Sequence, residues 1–167
     1  MKDEIVIRAA FPDDATTILA LHEAAVRGER GAGRYDDAQI EAWARRHTPA
    51  EIRERIATRT FFIAERDTRA VAYAQLDVAA ATVRSVYVAP QDSRKGVGRR
   101  LVEAMVATAR ASGLRELELD ASLNAVPFYE ALGFRTVGSH DHCVRGGPAM
   151  PCVHMARRLV ADGAATE

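Results

Sequence analysis

Neither sign of charge prevails in this sequence: Lys+Arg and Asp+Glu both number 23, for a formal net charge of zero over 167 residues. That balance argues against a protein that binds nucleic acid or a membrane surface through bulk charge, and leaves only local patches. Cysteine is scarce. Cys143 and Cys152 are the two, and their number and separation make no disulfide framework, which points to a reducing compartment. The opening Met-Lys-Asp-Glu-Ile lacks the apolar core of a secretion signal. No uninterrupted apolar run is long enough to cross a bilayer. Internal repeats and low-complexity linkers are lacking too. The expectation is a soluble cytoplasmic protein with no membrane and no nucleic-acid partner. Its length predicts one domain, over residues 1–159, followed by a disordered tail over 160–167.

What is present is an alternation of short strands and amphipathic helices. Ile5–Arg8 is a strand. Pro12-Asp13-Asp14 opens a helix whose apolar face carries Ile18, Leu19, Leu21 and Ala25. A second helical stretch runs near Asp36–Arg46 with Ile40 and Trp43 inward, and Thr48-Pro49-Ala50-Glu51 is a capping box ahead of Ile52 and Ile56. Strands follow at Thr60–Ala64, Val71–Val78 and Thr82–Val88. Gly96–Ser112 is a helix stopped by Gly113. Arg115–Asp120 alternates as a strand, Asn124–Leu132 is a short helix closed by Gly133, and Phe134–Val144 and Met150–Leu159 are strands joined by a hairpin at Arg145-Gly146-Gly147-Pro148. The order β-α-α-β-β-β-α-β-α-β-β predicts an α/β fold with a mixed sheet and helices on both faces.

The densest signal lies in residues 83–105, where an apolar strand ends at Val88 and Pro90, a loop carries Gly96 and Gly98, and an amphipathic helix begins. Unpartnered N–H groups in the first helical turn and the helix dipole together make an anion trap, and a pyrophosphate suits it best. A P-loop would need Gly-x-x-x-x-Gly-Lys-Ser/Thr, but Lys95 precedes Gly96. A dinucleotide loop would need a third glycine where Leu101 stands and would follow the first strand of its unit.

The segment Val88-Ala89-Pro90, then Ser93-Arg94-Lys95-Gly96-Val97-Gly98, resembles motif A of the GNAT superfamily of acetyl-CoA-dependent N-acetyltransferases. Ser93 departs from that pattern, which usually has Gln or Arg there. Asp120–Phe134, with Tyr129 shortly before Leu132-Gly133-Phe134, resembles motif B of the same superfamily at the expected distance downstream. The resemblance implies a GNAT fold: a mostly antiparallel mixed sheet of about seven strands, splayed between strands 4 and 5. It implies acetyl-CoA as cosubstrate. Val86, Tyr87 and Val88 would hold the pantetheine arm, and the backbone of Arg94, Lys95, Gly96, Val97, Gly98 and Arg99 the pyrophosphate. Asn124 would cap the short helix and touch the pantetheine.

The activity so implied is direct acetyl transfer from the thioester to a primary amine, more readily on a small molecule than on a protein. Tyr129 is the expected general acid for the departing thiolate, since a phenol stays protonated at neutral pH. The base is open among Asp77, His22, Glu23 and Asp120. Trp43, Tyr35 and His22 border the expected acceptor pocket. His140, His142, Cys143, Cys152 and His154 cluster in sequence but match no zinc finger or ribbon, so no metal is expected and acceptor-pocket lining is the better use for them. Arg145 is a candidate contact for an acidic acceptor group. A non-catalytic acyl-CoA-binding module is the alternative, and a toxin-type enzyme acting on aminoacyl-tRNA conflicts with the neutral charge. Edge strands near the C-terminus make a homodimer an option.

Overall fold

The computed structural model describes residues 4–143 and 146–160. The expected tail beyond 160 and Arg145 at the hairpin lie outside the described residues. Seven strands form one sheet: β1 (Ile5–Ala9), β2 (Thr60–Arg66), β3 (Arg69–Asp77), β4 (Thr82–Val88), β5 (Glu116–Ser122), β6 (Arg135–Cys143) and β7 (Ala149–Arg158). Their order across the sheet is β1-β2-β3-β4-β5-β7-β6, and every adjacent pair is antiparallel except β4 and β5. The mixed α/β fold expected from the sequence is the fold observed.

Helices cover both faces. On one, α4 (Val97–Ala111) and α5 (Val126–Ala131) join a core in which Leu101, Val102 and Met105 meet Ala72, Ala74 and Leu76 of β3. The strongly one-sided apolar pattern of α4 explains its docking: Val97, Leu101, Val102, Met105, Val106 and Ala109 are all buried. On the other face, α1 (Ala15–Gly28) and α3 (Pro49–Thr58) bring Ile18, Leu21 and Ile52 against Phe61, Ile63 and Tyr73. A third, smaller cluster sits beside β4, where Ile40, Trp43 and Ala44 of α2 (Asp37–Ala44) pack with Val26, Tyr35 and Met150.

Three α-helices precede β2 among the described residues, one more than the expected element order, although the capping box was itself read as a helix start. Thr48 is the reason. A residue before proline is driven out of helical geometry, and Thr48 takes φ −105° and ψ 157°. Its hydroxyl then accepts from the Glu51 amide while the Glu51 carboxylate accepts from the Thr48 amide, so α3 starts afresh. The short stretch Arg45–His47 is thereby left between two helices, beside β4. The helix expected over Asn124–Leu132 is also divided, into a 3-10 turn at Leu123–Ala125 and then α5.

Candidate active site

The site begins with a fault in the sheet. β4 and β5 pair at only two positions, Thr82 with Glu118 and Val83 with Leu119. Just beyond them the register between β3 and β4 slips: Gln75 faces Ser85 and Leu76 faces Val83, which leaves Arg84 unopposed. An extra residue of this kind bends its strand and increases the local twist. From Ser85 to Val88 the strand stays on β3 and no longer pairs with β5. A cavity of about 770 Å³ occupies the opening, lined by Ser85–Val88 on one wall and Leu119–Ser122 on the other.

At one end of this cavity lie Pro90 and Ser93, the entrance to the glycine loop. The loop is held from behind by Asp92, which is buried and accepts from both terminal nitrogens of Arg69 at 3.2 and 3.4 Å, with Nε of Arg66 3.7 Å away. Arg94 and Gly96 both take left-handed geometry, with φ 60° and 80°. Ser93 donates its amide to Pro90, and the first bond of α4 runs from the Arg100 amide to the Gly96 carbonyl at 3.2 Å. Among the described residues, the amides of Arg94 to Arg99 between them donate to no backbone carbonyl. This is the anion-binding arrangement expected of a helix start. The side chains of Arg94, Lys95 and Arg99 are exposed and do not line the cavity. The two glycines have different causes. Gly96 is needed for its φ, whereas a Cβ on Gly98 would come within 3.0 Å of the Phe128 ring, so α5 packs directly against the first turn of α4.

Tyr129 of α5 reaches into the cavity. It is 7 % exposed, and among the described residues its hydroxyl has no hydrogen-bond partner. Burial, with a smaller contribution from nearby Tyr87, holds the phenol above its ordinary range, so it stays a proton donor. Asn124 departs from its expected capping role. It does not cap α5, and its amide donates to Glu29 at the end of α1.

Tyr87 turns its side chain to the opposite face of β4. Its hydroxyl accepts from Trp43 Nε1 at 2.9 Å, and its ring stacks on Tyr73 at 5.5 Å. Around it the cavity widens, bordered by Trp43, Arg46, His47, Arg55, Gln75 and Tyr35. Tyr35 bridges two elements, donating to the Pro151 carbonyl at 2.7 Å and accepting from the Leu123 amide at 3.0 Å. Both Trp43 and Tyr35 are therefore core residues and cavity wall at once. Arg46, His47, Arg55 and Gln75 were not singled out from the sequence; their shared destination exists only because α2 and α3 break at Arg45–His47.

The base candidates separate clearly. His22 is wholly buried and does not line the cavity. Its Nε2 donates to the Trp43 carbonyl at 2.9 Å, which leaves Nδ1 to accept from the Tyr73 hydroxyl at 3.2 Å. Desolvation pushes it down to about 4, so it is a neutral strut between α1, α2 and β3. Glu23 pairs with Arg27 away from the cavity. Asp77 accepts from the Ala80 amide and sits beside Arg84 and Arg59, which together hold its carboxyl below the usual range. Asp120 lines the cavity wall, accepting from His154 Nδ1 at 2.9 Å with His140 Nε2 at 3.4 Å.

Of the C-terminal His and Cys residues, His142 and Cys152 line the cavity, while Cys143 is exposed. Asp120, His140 and Cys152 bring their donor atoms within 4.8 Å of one another. The Cys152 thiol is pushed up to about 11, by burial first and then by Asp120 and Asp141, and so remains protonated.

A sheet opened between its two parallel strands, with free amides at one end of the opening and a buried phenol inside it, defines the molecule as an acetyltransferase fold. Residues 32–158 match the acetyltransferase (GNAT) domain, and the chain belongs to that family of N-acetyltransferases. A relative from Escherichia coli strain K12, the uncharacterized N-acetyltransferase YafP, is 27 % identical over 135 residues, or 81 % of this chain and 84 % of that one. A GCN5-related N-acetyltransferase from Rhodopseudomonas palustris, also described as an aminotransferase of class II, superposes with a TM-score of 0.87 at 26 % identity, covering 95 % of this chain and 98 % of that one. The PaiA N-acetyltransferase of Thermoplasma acidophilum, solved in complex with coenzyme A, shares the fold with a TM-score of 0.77 at 20 % identity, over 93 % of this chain and 99 % of that one.

Proposed function

We propose that the chain is a single-domain enzyme that transfers acetyl from acetyl-CoA to the primary amine of a small molecule. The observation that carries this is one continuous cavity, running from the amide-exposing loop past the opened strands and Tyr129 to a polar chamber. In this reading the amides of Arg94 to Arg99 hold the pyrophosphate, with Arg94, Lys95 and Arg99 adding positive charge outside. The unpaired edge of β4 at Val86, Tyr87 and Val88 holds the pantetheine. Asn124 supports that arm indirectly, by fixing Glu29 on the cavity wall.

The thioester is already activated, so no covalent enzyme intermediate is required. The amine lone pair attacks the thioester carbon, the new C–N bond forms, and the C–S bond breaks. Tyr129 supplies the proton that the leaving sulfur takes up, and Asp120, directly or through a water, receives the proton lost by the amine. Of the four candidate bases, Asp120 is the one on the cavity wall.

Calorimetry with acetyl-CoA and a thiol-release screen over an amine library test the proposal. Binding and amine-dependent thiol release are expected. Failure to bind overturns the reading, and binding without thiol release for any amine identifies a non-catalytic acyl-CoA-binding module instead.

A further inference from the structure

The chamber beyond Tyr87 is rich in hydrogen-bond donors, and two of them, Arg46 Nε and Gln75 Nε2, are buried with no partner among the described residues. Tyr87 accepts from Trp43 Nε1, which leaves its own O–H to donate. An arginine can only donate, so the contact between Arg55 and His47 Nδ1 at 3.1 Å fixes the His47 proton on Nε2. Burial and the charges of Arg46 and Arg55 drive His47 down to about 3, so the ring is neutral. The Gln75 amide nitrogen is buried without a partner among the described residues.

Arg46 stands out within this group. Its Nε is buried and meets no acceptor among the described residues. One terminal nitrogen reaches the Tyr87 hydroxyl only at 3.5 Å, and no carboxylate pairs with Arg46 among the described residues. Arg59 and Arg84, further along the wall, share Asp77 at 3.7 and 3.4 Å. A guanidinium cannot relieve burial by losing its proton. The cavity carboxylates are engaged elsewhere, Glu29 with Asn124 and Asp120 with His154. One end of the chamber thus offers donors and an uncompensated cation, while the same cavity carries Asp120 on another wall.

We propose that the acceptor is an amino carboxylate, a small amine that also bears an anionic group, and that Arg46 binds this group with the help of Tyr87 and His47. This rests on the acetyl-transfer reading above. The ammonium end is drawn toward Asp120 and the carboxylate toward Arg46, which orients the amine along the cavity before it loses its proton. A planar fork of donors suits a carboxylate or a phosphonate.

The test uses matched acceptors with acetyl-CoA and the full chain: amino acids, their carboxamides, the corresponding decarboxylated amines, aminophosphonates, and short peptides with acidic side chains. The carboxylates are expected to exceed their neutral partners by about 30-fold in kcat/KM, mostly through KM. Phosphonates acetylated in place of carboxylates would assign the site to a phosphoryl group and overturn the carboxylate. Arg46→Gln should collapse the carboxylate preference and Arg46→Lys should keep part of it, with CoA affinity reporting that each variant is folded. Equal use of neutral amines, a preference that survives Arg46→Gln, or acetylation confined to peptides overturns the inference. If no acceptor turns over, calorimetry of the same amino acids on CoA-loaded protein decides it, and absence of carboxylate-dependent binding overturns it. Failure to bind CoA counts instead against the acetyl-transfer reading.

Discussion

Tyr129 and Tyr87 face one cavity, yet their hydroxyls are set up for different work. Tyr87 is tied to Trp43, whereas the Tyr129 hydroxyl has no hydrogen-bond partner among the described residues. Tyr129→Phe removes one oxygen and none of the ring packing against Phe128 and Phe134. It should lower kcat by about 100-fold while leaving CoA affinity near that of the parent, as steady-state thiol release and calorimetry would show. Unchanged turnover would remove Tyr129 from the acid role. Gly98 offers a test of packing at the same scale. Gly98→Ala presses a methyl onto Phe128 and should destabilise by about 1–3 kcal/mol. Adding Phe128→Leu should restore part of that loss in urea denaturation.

At the scale of elements, the segment between α2 and α3 positions Arg46 and His47, and its geometry depends on the capping box at Thr48. Thr48→Ala should cost about 1 kcal/mol by chemical denaturation. A shift in acceptor KM larger than the shift in acetyl-CoA KM would show that the cap also holds the chamber. The capping box was legible in the sequence because a cap is a local arrangement of four residues. So were α4 and its loop, where helix periodicity, Gly96 and the preceding strand lie side by side in the chain. The opening of the sheet was expected only through the resemblance to GNAT motifs. Its physical cause, the bulge at Arg84, belongs to the pairing of β3 with β4 and leaves no mark in either strand alone.

Across the whole molecule, pH acts through two histidines held neutral, His47 and His22, in the same sense. The folded value of His22, about 4, lies below the ordinary 6.5. As pH falls below 6.5 the unfolded chain takes a proton that the folded one refuses, so stability declines until both are protonated below about pH 4. This amounts to about 3 kcal/mol between pH 7 and 4. In urea denaturation, His22→Gln should show a stability curve flatter by about that amount over this interval, and an equal slope would show that His22 is not held neutral. Burial of His22 was not readable from sequence. Its partners Trp43 and Tyr73 come from distant segments, and a histidine near the start of a domain looks the same in a core as in a pocket. The chamber was legible only in part: Trp43 and Tyr35 were expected on its wall, whereas Arg46, Gln75 and Tyr87 meet there only after three separate elements have packed.

The two residue pairs that tie β4 to β5 also divide the sheet mechanically. Strands β1 to β4 make one plate and β5, β7 and β6 another, and the narrow seam between them is the joint with the fewest backbone pairs in the sheet. A pantetheine chain lying in the gap would reach across that seam and act as a missing strand, stiffening both plates together. Deuterium exchange should therefore slow jointly in peptides covering Ser85–Val88 and Asp120–Ser122 when CoA is added, although those segments do not pair with each other. Slowing on only one side would mean that the ligand leans on one plate and leaves the seam unbridged.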